Sequence, residues 1–454
     1  MPDTSHNTML LLFAFLGVIG LIVMVAFLKV NSFVALVIAS LFVGITTGMP
    51  LPTVAVSFQN GVGKILGGIA MIVGFGTIVG KFLSESGGAE VVADRLIKIG
   101  GVKNIHWTMM ALAYLIGVSV FFNVGFVILF PIFFTIARKT NLSLVYVGVP
   151  ILAGLSSMHG MVPPHPGPMA AVKALNANTG LTIMFGLLVG LPTAMVSGPM
   201  IGRLLARNIK LEPSEMAKSL KTRDTSRVLP GFWTTIITML LPVILMMAAT
   251  IADLVIHDEG LPKQLAQFFG NPLIAMLLGV FAAFYAFGFS RGFNKEQVLK
   301  FCDECLGPVA VVLLVVGAGG GFNQVLQDSG VGNAIAAVAK KTHLPPLFLG
   351  WVVACMIRIA TGSATVAITA AAGIIAPIVA ATPGTNVEVV IIAMGAGSLI
   401  LSHVNDSGFW FVKEYFNMTV AQTLRTWTVV ETTTATTGLI FCFVLDQVVR
   451  LFHH

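Results

Sequence analysis

Long apolar runs separated by short polar connections dominate the chain, and their lengths set the elements. A helix that crosses a bilayer needs ~20 predominantly apolar residues. Met9 to Leu28, Leu181 to Leu205, Gly231 to Ile256, Pro272 to Phe289, Pro308 to Leu326 and Leu424 to Leu445 meet that requirement, and Ser32 to Gly48 and Gly67 to Leu83 are shorter runs of the same kind. Ile105 to Ala137 is a stretch of 33 residues without Asp, Glu, Lys or Arg. As one helix it would extend ~50 Å at ~1.5 Å per residue, against a ~30 Å hydrocarbon core. It is too long for one straight pass and too short for two, which predicts a re-entrant hairpin (105–137) folding back near Phe122-Asn123-Val124-Gly125. Leu344 to Val387, whose only charge is Arg358, predicts a second hairpin with its tip at Thr361-Gly362-Ser363-Ala364-Thr365.

Two apolar runs are interrupted by polar residues at matching places. Ser156-Ser157-Met158-His159-Gly160-Met161-Val162-Pro163-Pro164-His165-Pro166-Gly167-Pro168 is one break, and Ser402-His403-Val404-Asn405-Asp406-Ser407-Gly408 is the other, with His159 and His403 244 positions apart. Unwound backbone at membrane depth is tolerated only where protein buries it or it lines a cavity. Gly74, Gly76, Leu83, Glu85, Ser86 and Gly87 match Gly317, Gly319, Leu326, Asp328, Ser329 and Gly330 at a constant offset of 243, and Pro131 and Pro377 are 246 apart. Such a period is far longer than a solenoid unit and points to duplication of a whole transporter half. The expected architecture is an all-α polytopic membrane protein of two inverted repeats, each with about five spanning helices, a re-entrant hairpin and a broken helix. Residues 1–205 form the first repeat, with its break around 158–168. Residues 206–229 form a linker, and 230–454 form the second repeat, with its break around 402–409.

Composition agrees with that pattern. At 56% hydrophobic and 10% charged residues, with a mean hydropathy of +0.93, the chain cannot hide its apolar groups in one soluble core. The formal charge of +7 sits in connecting loops, where it reports topology and does not imply nucleic-acid binding. The stretch Arg203 to Arg227 is rich in Lys and Arg, so it is expected on the cytoplasmic side. Threading the chain with both hairpins returning to their own side puts most cations inside and both termini outside. The first apolar run lacks a preceding basic region and a small-residue cleavage site, so it is expected to stay as a spanning helix. Cys302-Asp303-Glu304-Cys305 has redox or half-zinc spacing without a second pair. Gly317-Ala318-Gly319-Gly320-Gly321 lacks the context of a dinucleotide loop, and no phosphate-loop lysine or His-Glu-x-x-His occurs. An ATP-driven pump and a membrane zinc protease are disfavoured; no metal or cofactor is expected.

The polar interruptions supply the candidate chemistry. Prolines in the first break remove backbone donors, which frees carbonyls beside His159 and His165. The second break supplies the acid Asp406, flanked by His403, Asn405 and Ser407. An ionisable group inside a membrane costs roughly 2.5 to 3.5 kcal/mol on insertion scales. Histidine titrates near pH ~6.5, so His159, His165, His403 and Asp406 are candidates for a coupling proton, Asp406 foremost. The hairpin tips are small and polar: Asn123 and Gly125 in the first, Thr361, Gly362, Ser363 and Thr365 in the second. Half-helix amino ends meeting there would point amides at a carboxylate and its hydroxyls. Arg358 is placed either to pair with a carboxylate or to snorkel to the outer surface.

His159-Gly160-Met161-Val162-Pro163-Pro164-His165-Pro166-Gly167-Pro168, Ala360-Thr361-Gly362-Ser363-Ala364-Thr365 and His403-Val404-Asn405-Asp406-Ser407-Gly408-Phe409-Trp410 resemble motifs of the gluconate permease family of proton symporters, and the likeness runs over nearly the whole chain. The resemblance implies uptake of gluconate or a related sugar acid across a bacterial cytoplasmic (inner) membrane. It also implies the wider ion-transporter superfamily, in which a hairpin-bearing transport domain moves as an elevator against a dimerising scaffold. The implied partners are a small sugar-acid anion, a proton, the lipid bilayer and a second copy of the chain. Alternatives are transport of another hydroxy or keto acid (glycerate, ketogluconate, uronate), sodium-coupled carboxylate symport, an anion channel, and a membrane-embedded enzyme using the same histidines and Asp406.

Overall fold

The computed structural model describes residues 4–207, 228–256, 258, 260–334, 344–403 and 406–452, and among them every regular element is helical. Among the described residues eight helices are long and apolar enough to cross a membrane. Most of the 206–229 linker, and Asn405, lie outside the described residues.

In chain order the first half holds α1 (Thr4–Ala26), α2 (Ser32–Thr46), α3 (Leu51–Glu85), α4 (Gly88–Gly100), α5 (Ile105–Gly117), α6 (Phe122–Thr140), α7 (Leu144–Met161), α8 (Pro166–Leu175) and α9 (Thr179–Leu205). The second half holds α10 (Phe232–Val255), α11 (Leu261–Gly270), α12 (Pro272–Arg291), α13 (Lys295–Asp328), α14 (Pro346–Thr361), α15 (Ala364–Ala380), α16 (Val387–Gly397), α17 (Ser407–Phe416) and α18 (Val420–Phe452). The same order recurs in both: a long helix (α3, α13), a helical hairpin (α5–α6, α14–α15), a broken helix (α7–α8, α16–α17), and a closing long helix (α9, α18). The amphipathic α4 and α11 are additions that apolar run length does not register.

The two long helices lie against each other and run in opposite directions. Ser57 Oγ donates to Asp328 Oδ2 at 2.6 Å at one end, and Lys81 Nζ meets Glu304 Oε2 at 3.0 Å at the other. Small residues bring the backbones together between these ends: a Cβ on Gly61 would fall 2.4 Å from the carbonyl oxygen of Gly320, and one on Gly319 would meet Thr369 of α15. Apolar helices gain nothing from burial away from lipid, so close backbone approach supplies their dispersion contacts. The glycine run 317–321 is thus a packing face between α3 and the second hairpin.

Both breaks sit at the centre of the molecule. The Leu144–Leu175 stretch is 89% buried over its spanning window, and Val389 to Gly397 are all buried. α7 and α16 cross where a Cβ on Gly395 would lie 2.2 Å from the Gly160 carbonyl oxygen. Phe15, Leu188, Ile237, Phe281 and Ile440 are exposed on the outside, where lipid chains would cover them.

The structure shifts two boundaries. The first hairpin turns at residues 118–121, ahead of the expected tip, and Phe122 to Gly125 form the first turn of α6. Gly125 serves packing there, since its missing side chain makes room for Leu155, while Ser119 Oγ ties the turn to the Met239 carbonyl at 2.7 Å. The second break starts earlier than 402: α16 ends at Gly397, and Leu401 has a left-handed φ of 44°, a conformation that non-glycine residues rarely adopt. The first break is confined to Val162–His165, where the Pro163–Pro164 bond is cis and Pro166 opens α8. Proline suits that position because its missing N–H would have had no intrahelical partner.

Candidate functional site

Both hairpin tips and both breaks open onto one cavity of about 670 Å³. Four helices begin at its wall: α6 with Phe122, Asn123 and Val124, α8 with Pro166, α15 with Ala364 and Thr365, and α17 with Gly408. The first intrahelical bond of α6 runs from Gly125 N to Phe121 O, so the three preceding amides lie ahead of the helical ladder. Each amino end contributes roughly half a positive charge, and four together favour an anion.

Arg358 joins the second tip to the second break. It is 3% exposed, which settles the alternative of snorkelling. Its Nη1 donates to the Gly362 carbonyl, and its Nη2 pairs with Asp406 Oδ2 at 2.5 Å. Gly362 is left-handed, with φ 73°, so a residue without Cβ ends α14 there. Ser363 then caps α15 by accepting from Val366 N. Nε of Arg358 is buried without a partner.

Asp406 is fully engaged. Its Oδ1 accepts from Gly408 N at 2.8 Å, capping α17, and Oδ2 accepts from Arg358 and from Ser402 Oγ. Ser402 Oγ in turn accepts from Trp427 Nε1 at 2.6 Å, and Thr428 Oγ1 donates to the Ser402 carbonyl. α18 therefore clamps the second break, and the acid holds the arginine in place.

Of the residues expected to form the site, Asn123, His159, Arg358, Gly362, Ser363, Thr365 and Asp406 line the cavity. The others do not. His165 is buried with Nε2 2.7 Å from the Gly117 carbonyl oxygen, pinning the first break to the first tip. Gly125 packs on Leu155, and Thr361 Oγ1 donates back to Ile357 O. His403 Nε2 lies 3.0 Å from the Ile359 carbonyl oxygen. Asn405 and the side chain of Ser407 lie outside the described residues.

Run length and break motifs leave other cavity residues unannounced. Trp427 and Glu431 line its interior beside Ser156 of the first break, and Lys81, Ser84 and Glu304 line its end along α3 and α13. The hydrogen bond from Lys81 holds the Glu304 carboxyl below the usual carboxylate range. Cys305 also faces this end. Burial pushes its thiol up to about 11, leaving it protonated at neutral pH and a poor nucleophile or metal ligand. Among the described residues no cluster of three or more His, Cys, Asp or Glu side chains is placed to hold a metal ion.

What this arrangement can do is bind an anion that carries hydroxyl groups. Arg358 and the helix ends face negative charge, the amide and hydroxyls of Asn123, Ser156, Ser363 and Thr365 face polar substituents, and Phe121, Phe122 and Trp427 offer apolar surface.

Comparison with known proteins follows the same line. Residues 9–449 match the GntP family permease description. The gluconate permease of Pseudomonas aeruginosa is 46% identical over 98% of this chain and 99% of its own. Two Escherichia coli K12 proteins, the high-affinity gluconate transporter and the Gnt-II system L-idonate transporter, are 41% and 40% identical, each over 96% of this chain and 98% of their own. Among solved structures, the Alcanivorax borkumensis YdaH transporter superposes with a TM-score of 0.62 at 16% identity, over 93% of this chain and 98% of its own. That likeness extends to the fold.

Proposed function

The chain belongs to the GntP permease family, and from that premise we propose that it is a secondary transporter that takes up gluconate, or a closely related sugar acid, together with a proton across a bacterial cytoplasmic membrane. The observation that carries this reading is the meeting of Arg358 and four helix amino ends in one cavity. The carboxylate of the substrate would lie at Arg358 Nε and the amides of the tips, and its hydroxyl chain along Asn123, His159, Ser363 and Thr365. The L-idonate transporter among the relatives favours a site that accepts more than one sugar acid of this size.

A proton fits the energetics. Moving one negative charge into a cell that is negative inside costs ~2.3 kcal/mol per 100 mV. One accompanying proton makes the cycle electroneutral, so a pH gradient alone can drive accumulation.

We read the recurring element order and the opposed directions of α3 and α13 as two inverted repeats, with the hairpins and broken helices moving as a transport unit against a dimeric scaffold. The cavity runs between α3 and α13 toward Lys81 and Glu304. Arg95, Lys98 and Lys103 follow the end of α3, and Lys295 and Lys300 lie in the first turns of α13, an end that the positive-inside rule assigns to the cytoplasm. The cavity is therefore inward-facing in this proposal, with both chain termini outside.

Reconstitution tests the reading. Proteoliposomes holding the purified protein should accumulate labelled gluconate when the outside is made acidic, with no sodium present. They should stop when the gradient is collapsed by a protonophore. Uptake that ignores the pH gradient and requires sodium would overturn the proton assignment.

A further inference from the structure

Resting on the proton-symport reading, we propose that Glu431, and not Asp406, is the side chain that binds the transported proton. Glu431 lies one helical turn beyond Trp427 on α18, as the one charged residue between Arg425 and Asp446 in a threonine-rich stretch, and it is 1% exposed. It lines the same cavity as the proposed anion site, and its Oε1 is buried without a hydrogen-bond partner.

The charged and titratable groups around it divide into those with partners and those without. Arg358, on α14, gives Nη2 to Asp406 and Nη1 to Gly362. Asp406, in the second break, takes Arg358, Ser402 and Gly408. His159, on α7, lines the wall with Nδ1 unpartnered. Ser156, one turn earlier on α7, sits against the Glu431 carboxyl. At the mouth, Glu304 is paired with Lys81. Among the acids lining this cavity, Glu431 alone forms no ion pair among the described residues, and Arg358 acts on it only through space.

That difference decides the roles. Protonating Asp406 on Oδ2 would set the new O–H against the donors from Arg358 and Ser402 and leave Arg358 without its counter-charge. Protonating Glu431 breaks no ion pair, and the hydroxyl of Ser156 can donate to the carboxylate or accept from the acid. The step is a simple exchange: an O–H bond forms on a Glu431 oxygen from a water-borne proton on one side of the membrane and breaks to water on the other. Coupling follows from proximity. A sugar-acid anion and an ionised Glu431 in one cavity repel, so each of the anion and the proton binds more tightly when the other is present. Neither leaves readily alone.

The test compares wild type with Glu431→Gln in proteoliposomes. Two assays are read: gluconate accumulation driven by an acidic exterior, and exchange of internal unlabelled for external labelled gluconate without a gradient. In Glu431→Gln we expect accumulation to fall at least ~10-fold, while exchange remains measurable and loses its dependence on pH between about 5.5 and 8. Accumulation at the wild-type level in Glu431→Gln overturns the inference. A wild-type protein indifferent to the pH gradient overturns the symport reading and this inference with it, which distinguishes the two failures. Should Glu431→Gln not assemble, wild type alone still answers: dicyclohexylcarbodiimide, which attacks protonated carboxyls in apolar surroundings, should label Glu431 more at pH 6 than at pH 8, as read by peptide mass spectrometry. Labelling of Asp406 instead, or of neither, contradicts the inference.

Discussion

Arg358→Ala is expected to abolish gluconate uptake, with a loss of at least ~100-fold. The guanidinium is buried, and its pair with Asp406 at 2.5 Å is what makes either charge tolerable at this depth. Removing one partner of a buried pair costs about 3–5 kcal/mol, because the other charge is left alone. At 1.4 kcal/mol per tenfold, that alone corresponds to a population shift of about two to three and a half orders of magnitude. Arg358→Lys should also lose uptake by more than ~10-fold: a single ammonium cannot span Gly362 O and Asp406 and still present a third donor, as the planar fork does. Structural damage and loss of the anion's cation are separated by Arg358→Ala combined with Asp406→Ala. Without a lone charge, the double variant should recover protein yield and thermal stability relative to Arg358→Ala. Its uptake should stay lost, because the carboxylate still lacks its partner. Recovery of uptake in the double variant would show that Arg358 serves only the fold.

Asp406→Asn is expected to stop gradient-driven uptake and gluconate exchange together, each by about 100-fold or more. The amide keeps one acceptor oxygen, but its nitrogen must then face a donor from Arg358, Ser402 or Gly408. The break loses its anchor to α14 and α17, and Arg358 is left as an uncompensated buried charge. The pattern contrasts with Glu431→Gln, in which exchange should survive. Parallel assays on Asp406→Asn proteoliposomes check it. Exchange that persists at wild-type rate while only coupled accumulation disappears would make Asp406 the proton carrier, as its place in the sequence first suggests.

These contrasts also show where sequence pattern carries structural information and where it stops. The second hairpin tip is written locally: Gly362 supplies a left-handed turn and Ser363 caps the next helix, so motif and structure coincide at Thr361 to Thr365. The first tip has no such marker, because Val118 to Phe121 contain neither Gly nor Pro. A contact from Ser119 to α10 fixes it, while Gly125, which looks like a turn residue, is a packing notch. Broken helices are legible because prolines and polar residues cannot continue an apolar helix. Which of their side chains reach the cavity is not, since the pairing of Arg358 with Asp406 spans 48 positions and depends on how tip and break meet. Glu431 is a different case. It stands in plain view among threonines within Leu424 to Leu445, yet a single acid barely lowers the hydropathy of a long window, so run length hides what residue chemistry reveals.

The site itself is tested most directly by solving the structure of the protein with gluconate bound. The carboxylate should lie within hydrogen-bond distance, about 2.7–3.2 Å, of Arg358 Nε and of amides at Asn123 or Thr365, with the hydroxyl chain running toward Glu431. A gluconate seated outside this cavity, touching neither hairpin tip and leaving Arg358 Nε without a partner, would contradict it.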